Sequence, residues 1–458
     1  MASAYLTRQT TVPTSEKKFT FSTWMKVHGK AGADNGIIEW YRDSNDRYSI
    51  LLDSSTLQLR AYGVVAGSNG IGIYSNMKFR DPAAWYHVCI HSDTTQGSAA
   101  DRFKLWVNGV AQTFASYSFT FSGSNINVLD GTSGDAVNVG TRNETGSNSF
   151  NGILADTYYI DGSLIGYTQF GSTDSTTGQW KPKLDPTISS YGNAGFHLTY
   201  EDSSNLGDDT SGNSKDMTSS GTVTQTKDCP SNNFATMNPL DNYYANSTFT
   251  NGNLSIATTT ANDTFNNSTL GYSTGKFYWE IKSIQASTNN YDQIGITSKG
   301  STATNNYMSA SLYSVVLKQN GTLFQNAGSG SGAVSGWSGS SWTTGDIIGI
   351  AHDATNNKIY FHKNGVYMNS GNPSTGANGI TTTASSSTDT GVWLAGLGDE
   401  ISSGTASQFA LNFGNGFFGT TAVTTNSGNG YAGAEGSSIF NYQPPTGYSA
   451  LSTKGLNL

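Results

Sequence analysis

Phe103-Lys104-Leu105-Trp106-Val107-Asn108-Gly109 is a short alternating run that ends in Asn-Gly, and Lys358-Ile359-Tyr360-Phe361-His362-Lys363-Asn364-Gly365 follows the same plan further along the chain. Successive side chains on a strand point to opposite sides, so Phe103, Leu105 and Val107 share one face. Asn-Gly accepts the left-handed backbone that a two-residue hairpin requires. Each run therefore predicts a strand that closes into a hairpin. No fixed-period repeat connects the two, so they need only mean two sandwiches.

Around the first run, Phe19, Phe21, Thr23, Met25 and Val27 alternate on one face, as do Leu57, Leu59 and Ala61. These strands predict a sandwich over residues 1–170. Residues 171–240 read as an ordered linker. They hold Trp180-Lys181-Pro182 and Leu184-Asp185-Pro186, which break regular structure, and one short strand, Gly195-Phe196-His197-Leu198-Thr199-Tyr200. A return of that strand to the first sandwich is left open. Around the second run, Lys276-Phe277-Tyr278-Trp279-Glu280-Ile281, Ser314-Val315-Val316-Leu317 and Asp346-Ile347-Ile348-Gly349-Ile350-Ala351 predict a second sandwich over 241–418. Residues 419–458 form a tail whose Phe440, Tyr442, Tyr448 and Leu451 would be costly to expose together. The predicted class is all-β: two antiparallel β-sandwiches joined by an ordered linker. No stretch has a helical or heptad period.

Composition agrees. Of 458 residues, 35% are apolar, 12% are charged and 54 are glycine. Low charge argues against disorder, and the abundant Gly, Ser, Thr and Asn favour turns and half-buried strands. The net charge of -8 is thinly spread, and no Lys/Arg run reaches five, so nucleic acid is not an expected partner. No apolar run is long enough to insert in a membrane. The first residues lack the apolar core of a secretory signal, which implies synthesis in a cytoplasm without the usual export. Cys89 and Cys229 are too few for a disulfide scaffold or a cysteine zinc site.

Certain motifs carry a resemblance. Phe19-Thr20-Phe21-Ser22-Thr23-Trp24-Met25-Lys26, Trp85-Tyr86-His87-Val88, Leu105-Trp106-Val107-Asn108-Gly109 and Phe150-Asn151-Gly152-Ile153-Leu154-Ala155-Asp156 resemble a concanavalin A-like, laminin-G-like jelly roll. Gly275-Lys276-Phe277-Tyr278-Trp279-Glu280, Ile294-Gly295-Ile296, the run 345–351 and the run 359–365 resemble a SPRY domain, with Phe409 to Phe413 as its last core strand. Asn232-Asn233-Phe234-Ala235-Thr236-Met237-Asn238-Pro239-Leu240-Asp241 and Phe440-Asn441-Tyr442-Gln443-Pro444-Pro445-Thr446-Gly447-Tyr448-Ser449-Ala450-Leu451 resemble structural proteins of marine and cyanobacterial tailed phages. The resemblance implies a virion protein, such as a tail-fibre or head-surface component. Its expected partners are other virion proteins and a host surface glycan or receptor. It would be present in multiple copies, a homo-oligomer included.

Catalytic chemistry is sparse. Glycoside hydrolysis needs two carboxylates about 5–9 Å apart. The seven glutamates form no Glu-x-Asp-x-x-Glu run, and Glu39 is the best lone candidate, expected at an outward strand position. His87 and His91, four apart on a strand, are roughly 13 Å apart and cannot share a zinc. No catalytic residue and no metal cluster is therefore expected. Calcium is the one cofactor left open, at Asp43, Asn45 and Asp46 or at Asp130 and Asp135, although such clusters are ordinary turns more often. For ligand binding, the second module carries loop aromatics: Tyr307, Tyr313, Phe324, Trp337 and Trp342. Trp337, flanked by Ser335, Gly336 and Ser338 in the Gly/Ser-rich stretch 326–341, is the expected exposed contact, and Trp342 is also readable as core.

Three functions follow in order: a non-enzymatic virion surface protein that binds host glycan or receptor; a cement or adaptor protein that docks only on virion proteins; a polysaccharide hydrolase. The missing carboxylate pair generates a test. Incubation with capsular and cell-wall polysaccharides is expected to release no reducing ends. Steady release that disappears in Glu39→Gln would overturn the non-enzymatic reading.

Overall fold

The computed structural model describes residues 4–30, 32–126, 129, 131–132, 135–142, 148–241, 247–259, 263–298, 307–400, 404–423 and 430–458. The chain divides into two compact units, Met1–Gln225 and Thr226–Leu458. Both are β-sandwiches, and the helical pieces among the described residues are single 3-10 turns.

The first unit packs an eight-stranded sheet on a six-stranded one. The larger sheet runs in the order Phe114–Phe119, Ser68–Lys78, Gln58–Val65, Arg47–Leu52, Asn35–Tyr41, Ala136–Val139, Tyr5–Gln9 and Thr218–Ser220. The smaller runs Phe196–Leu198, Gly152–Asp161, Lys18–Val27, Trp85–Asp93, Phe103–Val107 and Val110–Ala111. Phe19, Phe21, Met25 and Val27 meet Ile38, Trp40, Tyr48, Ile50 and Ile73 between the sheets.

The strand Lys18–Val27 is buried on its other side too. Cys89, Tyr158 and Ile160 lie there under Phe170, with Ile165, Tyr167, Ile188 and Tyr191 packed around them. Trp180 stacks on His87, and its indole N–H donates to His87 Nδ1 at 3.2 Å. An indole can only donate, so Nδ1 accepts and Nε2 carries the proton toward Ser22 Oγ, 2.8 Å away. Burial holds His87 down at about 3, so the ring is neutral. Segment 162–195 is thus a strap over the six-stranded sheet and 196–198 one of its strands, not parts of a connector. Thr218–Ser220 likewise pairs with Tyr5–Gln9, and Asp209 accepts backbone N–H bonds from His197, Ser211 and Lys215. The prolines of this stretch interrupt regular structure, but its aromatics still find a surface to cover.

The second unit packs a nine-stranded sheet on a six-stranded one. The strands Lys276–Gln285, Ile347–Asp353, Lys358–Lys363 and Gln408–Asn412 form the centre of the larger sheet. The smaller is Thr264–Tyr272, Trp393–Asp399, Asp292–Thr297, Ser314–Lys318, Leu323–Asn326 and Ser331–Ala333. Trp279, Ile281, Ile294, Ile296, Leu317, Phe361 and Leu411 fill the space between.

This unit also has a third layer. Residues 226–240, read from sequence as the end of a linker, and the tail after 419 belong to it. Phe234, Phe440, Tyr448 and Ala450 cover Tyr278, Ala351 and Tyr360 on the outer side of the nine-stranded sheet. The two segments also bind each other: Ala235 N–H donates to Leu451 O, and Thr453 N–H to Asn233 O, both at 2.9 Å. Ser449–Ala450 pairs in parallel with Phe277 and Tyr278, just beyond the point where Asn412 ends its pairing at Glu280.

Both Asn-Gly turns form. Asn108 and Gly109 have φ of 47° and 76°, Asn364 and Gly365 of 50° and 86°, the left-handed pair a two-residue hairpin needs. Each asparagine does a second job. Asn108 Oδ1 accepts from His87 N and Asn364 Oδ1 from Ile347 N, each at 2.8 Å. The backbone N–H groups of Asn108 and Asn364 donate back to the same two residues.

The tail's energetics predict a large effect. Full burial of an aromatic or leucine side chain stabilises by roughly 1.5–3 kcal/mol, and Phe440, Tyr448 and Leu451 are all fully buried. Truncation after Gly436 should therefore remove a large part of the ~5–15 kcal/mol typical of a domain. In calorimetry of the truncated chain, the transition of the second unit is expected to disappear or fall by more than about 10 °C. An unmoved transition would show that the tail contributes nothing to the unit.

Candidate functional site

The six-stranded sheet of the second unit shows how alternation builds a surface. On Asp292–Thr297, Ile294 and Ile296 face the core, so Gln293 faces out. On Ser314–Lys318, Val315 and Leu317 face in, and Lys318 sits opposite Gln293 in the ladder. On Leu323–Asn326, Leu323 faces in and Phe324 out. Glu400 follows the strand Trp393–Asp399.

These outward residues meet. Lys318 Nζ lies 2.6 Å from Glu400 Oε2, 4.3 Å above the Phe324 ring centroid and 5.6 Å from that of Tyr307. Gln293 donates through Nε2 to Glu400 Oε2 at 2.9 Å and accepts through Oε1 from Ser309 N at 2.8 Å. Gln293 therefore holds the carboxylate and also the turn Met308–Ala310 that presents Tyr307. Tyr307, Phe324, Lys318 and Glu400 are all partly exposed. Burial raises the Asp263 carboxyl pKa, and the Glu400 charge adds to it; burial also raises the Tyr307 phenol, with Glu400 and Asp263 adding. The result is a half-open patch of two rings, one ammonium and two carboxyl groups. It can stack on the apolar face of a sugar or side chain and exchange hydrogen bonds beside it.

Of the aromatics expected to bind, only Tyr307 and Phe324 come together. Trp342 is 3% exposed and belongs to the core. Trp337 is half-buried. Its indole N–H donates to Gly321 O at 2.9 Å, and its ring stands edge-on to Phe361 at 6.1 Å. Gly and Ser neighbours put the backbone near solvent, but a distant carbonyl turns the ring inward. Nor is 326–341 a free loop, because Ser331–Ala333 pairs with Leu323–Asn326. Tyr313 packs against Gly328, where an added Cβ would come within 2.8 Å of its ring. Gln293, Lys318 and Glu400 went unread in the sequence; the outward parity beside Ile294 and Leu317 was their only signal.

The calcium candidates resolve differently. Asp43 Oδ1 accepts from Asn45 N at 2.6 Å and Asp46 N at 3.1 Å, while Asp46 Oδ1 accepts from Ala66 N at 2.9 Å. That is a side-chain-capped turn. Asp135 is buried and paired with Arg42 at 2.7 Å, and Asp130 lies outside the described residues. Among the described residues, no group of three His, Cys, Asp or Glu could hold a metal. Glu39 does point away from the core, but it is 1% exposed and accepts from Ser49 Oγ at 2.8 Å. It is not a solvent-facing group.

Residues 2–164 match the family model described as the concanavalin A-like lectin/glucanases superfamily. Among solved structures, the chain is similar to the SPRY domain of human HERC1, at 15% identity over 38% of this chain and 96% of that one, with a TM-score of 0.28. It is similar to another human SPRY domain at 13% identity over 34% and 90%, with a TM-score of 0.25. It is also similar to the heptameric SAP-like pentraxin of Limulus polyphemus at 20% identity over 36% and 74%, with a TM-score of 0.27. No curated protein matches the chain. These likenesses bear on the fold alone.

Behind the patch, Asp292 and Asp399 sit opposite each other in the ladder, both fully buried. Burial pushes the Asp399 carboxyl up to about 7, hydrogen bonds from Thr258 and Thr264 oppose the rise, and the Asp292 charge adds to it; burial also raises Asp292. Folded pKa values above the unfolded ones mean that folding favours the protonated form. This stability is full below about pH 4 and is lost as pH rises through about 7, on the order of 2–4 kcal/mol. Amide exchange in Asp292–Thr297 and Trp393–Asp399, corrected for its intrinsic rate, is expected to show greater protection at pH 5.5 than at pH 8. Asp399→Asn should narrow the difference, leaving the part due to Asp292. Equal protection at both pH values in the unaltered chain would refute it.

Proposed function

We propose that the chain is a non-enzymatic binding protein of a virion surface, of the tailed-phage type, that attaches to a host surface glycan or receptor. The observation that carries this reading is the patch of Tyr307 and Phe324 around the Lys318–Glu400 pair. Two ring faces beside fixed polar groups are what a sugar surface needs, since rings bury apolar area at low entropic cost. A sandwich of lectin type over residues 2–164 supports carbohydrate or protein binding as the broad class. The virion assignment draws its support from the resemblance of 232–241 and 440–451 to phage structural proteins.

Hydrolysis has one foothold, the Asp263 carboxyl beside Glu400. Glu400 is, however, tied to Lys318 and Gln293, and Asp292 and Asp399 are fully buried. Binding without cleavage is the better fit. If a polysaccharide is cleaved and both Asp263→Asn and Glu400→Gln stop the cleavage, the patch is an active site.

Particles carrying Tyr307→Ala or Phe324→Ala are expected to assemble normally and to adsorb to host cells about tenfold less well, about 1.4 kcal/mol for a ring at a binding hot spot. Failure to assemble would transfer the patch to an adaptor role within the particle. Normal assembly with normal adsorption would remove it from binding altogether.

A further inference from the structure

The eight-stranded sheet of the first unit has an outer side as distinctive as its core. Ile50, Leu52, Leu59, Ala61 and Ile73 face inward, so Arg47, Arg60, Tyr62 and Tyr74 face outward on neighbouring strands. Arg142 joins them from the segment after Ala136–Val139. Three guanidinium groups surround one phenol ring: Arg60 at 4.7 Å from the Tyr62 centroid, Arg47 at 5.1 Å and Arg142 at 5.5 Å. Arg60 also lies 5.1 Å from the ring of Tyr74. The Tyr62 hydroxyl accepts from Arg47 Nη2 at 3.3 Å and donates to the exposed Asn69 Oδ1 at 3.0 Å.

Among the described residues, two carboxylates face the same side. Asp34 pairs with Arg142 at 2.6 Å and with Arg60 at 3.7 Å, and it also caps Ser54 N. Glu39 lies beneath, 1% exposed and bound by Ser49. Among the described residues the sum is three positive charges against two negative, in a chain whose net charge is -8. The carboxylates are the more deeply placed: the Arg60 and Arg142 side chains are 20% exposed and that of Asp34 14%. Guanidinium groups gathered around one ring repel each other. Each contact with the ring offsets only part of that repulsion. A bound anion would relieve that repulsion. Planar guanidinium forks match the two oxygens of a carboxylate or sulfate group better than a point charge does.

We propose that the Arg47–Arg60–Tyr62–Arg142 face binds an acidic polysaccharide through its sulfate ester or uronate carboxylate groups. The assignment rests on the reading of the chain as a glycan binder, but it uses a different surface from the Tyr307 patch. The ring spaces and orients the forks; the arginines carry the affinity; Asn69 stands at the edge for a sugar hydroxyl.

The test measures binding of the full chain to dextran sulfate and dextran, and to polygalacturonate and its methyl ester, at one ionic strength. At least one acidic polymer is expected to bind ten times more tightly than its neutral counterpart, and which one does so identifies the anionic group. Arg47→Gln, which loses only a neutral phenol partner, should weaken that binding about tenfold with unchanged melting; Arg142→Gln, which also takes from Asp34 its partner at 2.6 Å, should weaken it to a similar extent. Tyr307→Ala should leave the preference for the acidic polymer over its neutral counterpart intact. Equal binding of charged and neutral polymers, or full binding by both arginine variants, would overturn the proposal. Arg47-dependent binding of an acidic protein or duplex DNA without binding of either polysaccharide would overturn the ligand class. Loss in the arginine variants alone, or in Tyr307→Ala alone, separates this face from the patch of the second unit.

Discussion

The second unit is organised around a carboxylate inside a sheet. Glu280 is fully buried on the strand Lys276–Gln285, where an unpaired charge would cost several kcal/mol. Four donors converge on it: Tyr442 N at 2.7 Å, Asn441 N at 2.9 Å, Tyr278 Oη at 3.0 Å and Asn412 Nδ2 at 3.2 Å. Burial pushes the carboxyl up to about 7, against the pull of all four. Two of these donors are backbone groups of the tail, so the tail cannot leave without stranding Glu280. The buried layer of Phe234, Tyr278, Phe440 and Tyr448 follows from that anchorage.

The first unit reaches a similar end with different chemistry. Its strap is seated by rings, with His87 held neutral between Ser22 and the Trp180 indole. In each unit a sheet that would otherwise face water on one side is covered by irregular chain. Two-sheet sandwiches usually alternate polar residues on their outer sides. Here Lys18–Val27 is buried almost throughout and 277–281 is buried on both sides, and Ser22 and Glu280 find partners in the covering segments or beneath them.

Legibility in the sequence followed the range of the interaction. The hairpins at Asn108-Gly109 and Asn364-Gly365 were readable because their chemistry is local. The core faces were readable because alternation is local too. Trp180 and Phe440 stand among prolines and turn residues, and nothing nearby says which surface they cover. The same limit applies to Trp337, whose ring direction depends on Gly321, sixteen residues away. Gly321 sits at a φ of 87°, and a Cβ there would come within 2.8 Å of the backbone of Ser340. Glu39 shows the reverse case: its outward parity was readable, but the burial of that side of the sheet was not. At the candidate site, Tyr307 and Phe324 were visible as aromatics, whereas Gln293 and Glu400 acquire meaning only once three strands lie side by side.

The clasp between the two ends of the second unit also has a mechanical meaning. Asn233 and Ala235 near one end are hydrogen-bonded to Thr453 and Leu451 near the other. A tension applied across these ends meets those few bonds before it reaches any core strand. Opening the clasp uncovers Tyr278 and withdraws Asn441 and Tyr442 from Glu280, so the load reaches a sheet whose buried carboxylate has lost two donors. Such an element acts as a lock: under load the unit holds until the clasp gives, and then lengthens in one step because the tail and the sheet it covers fail together.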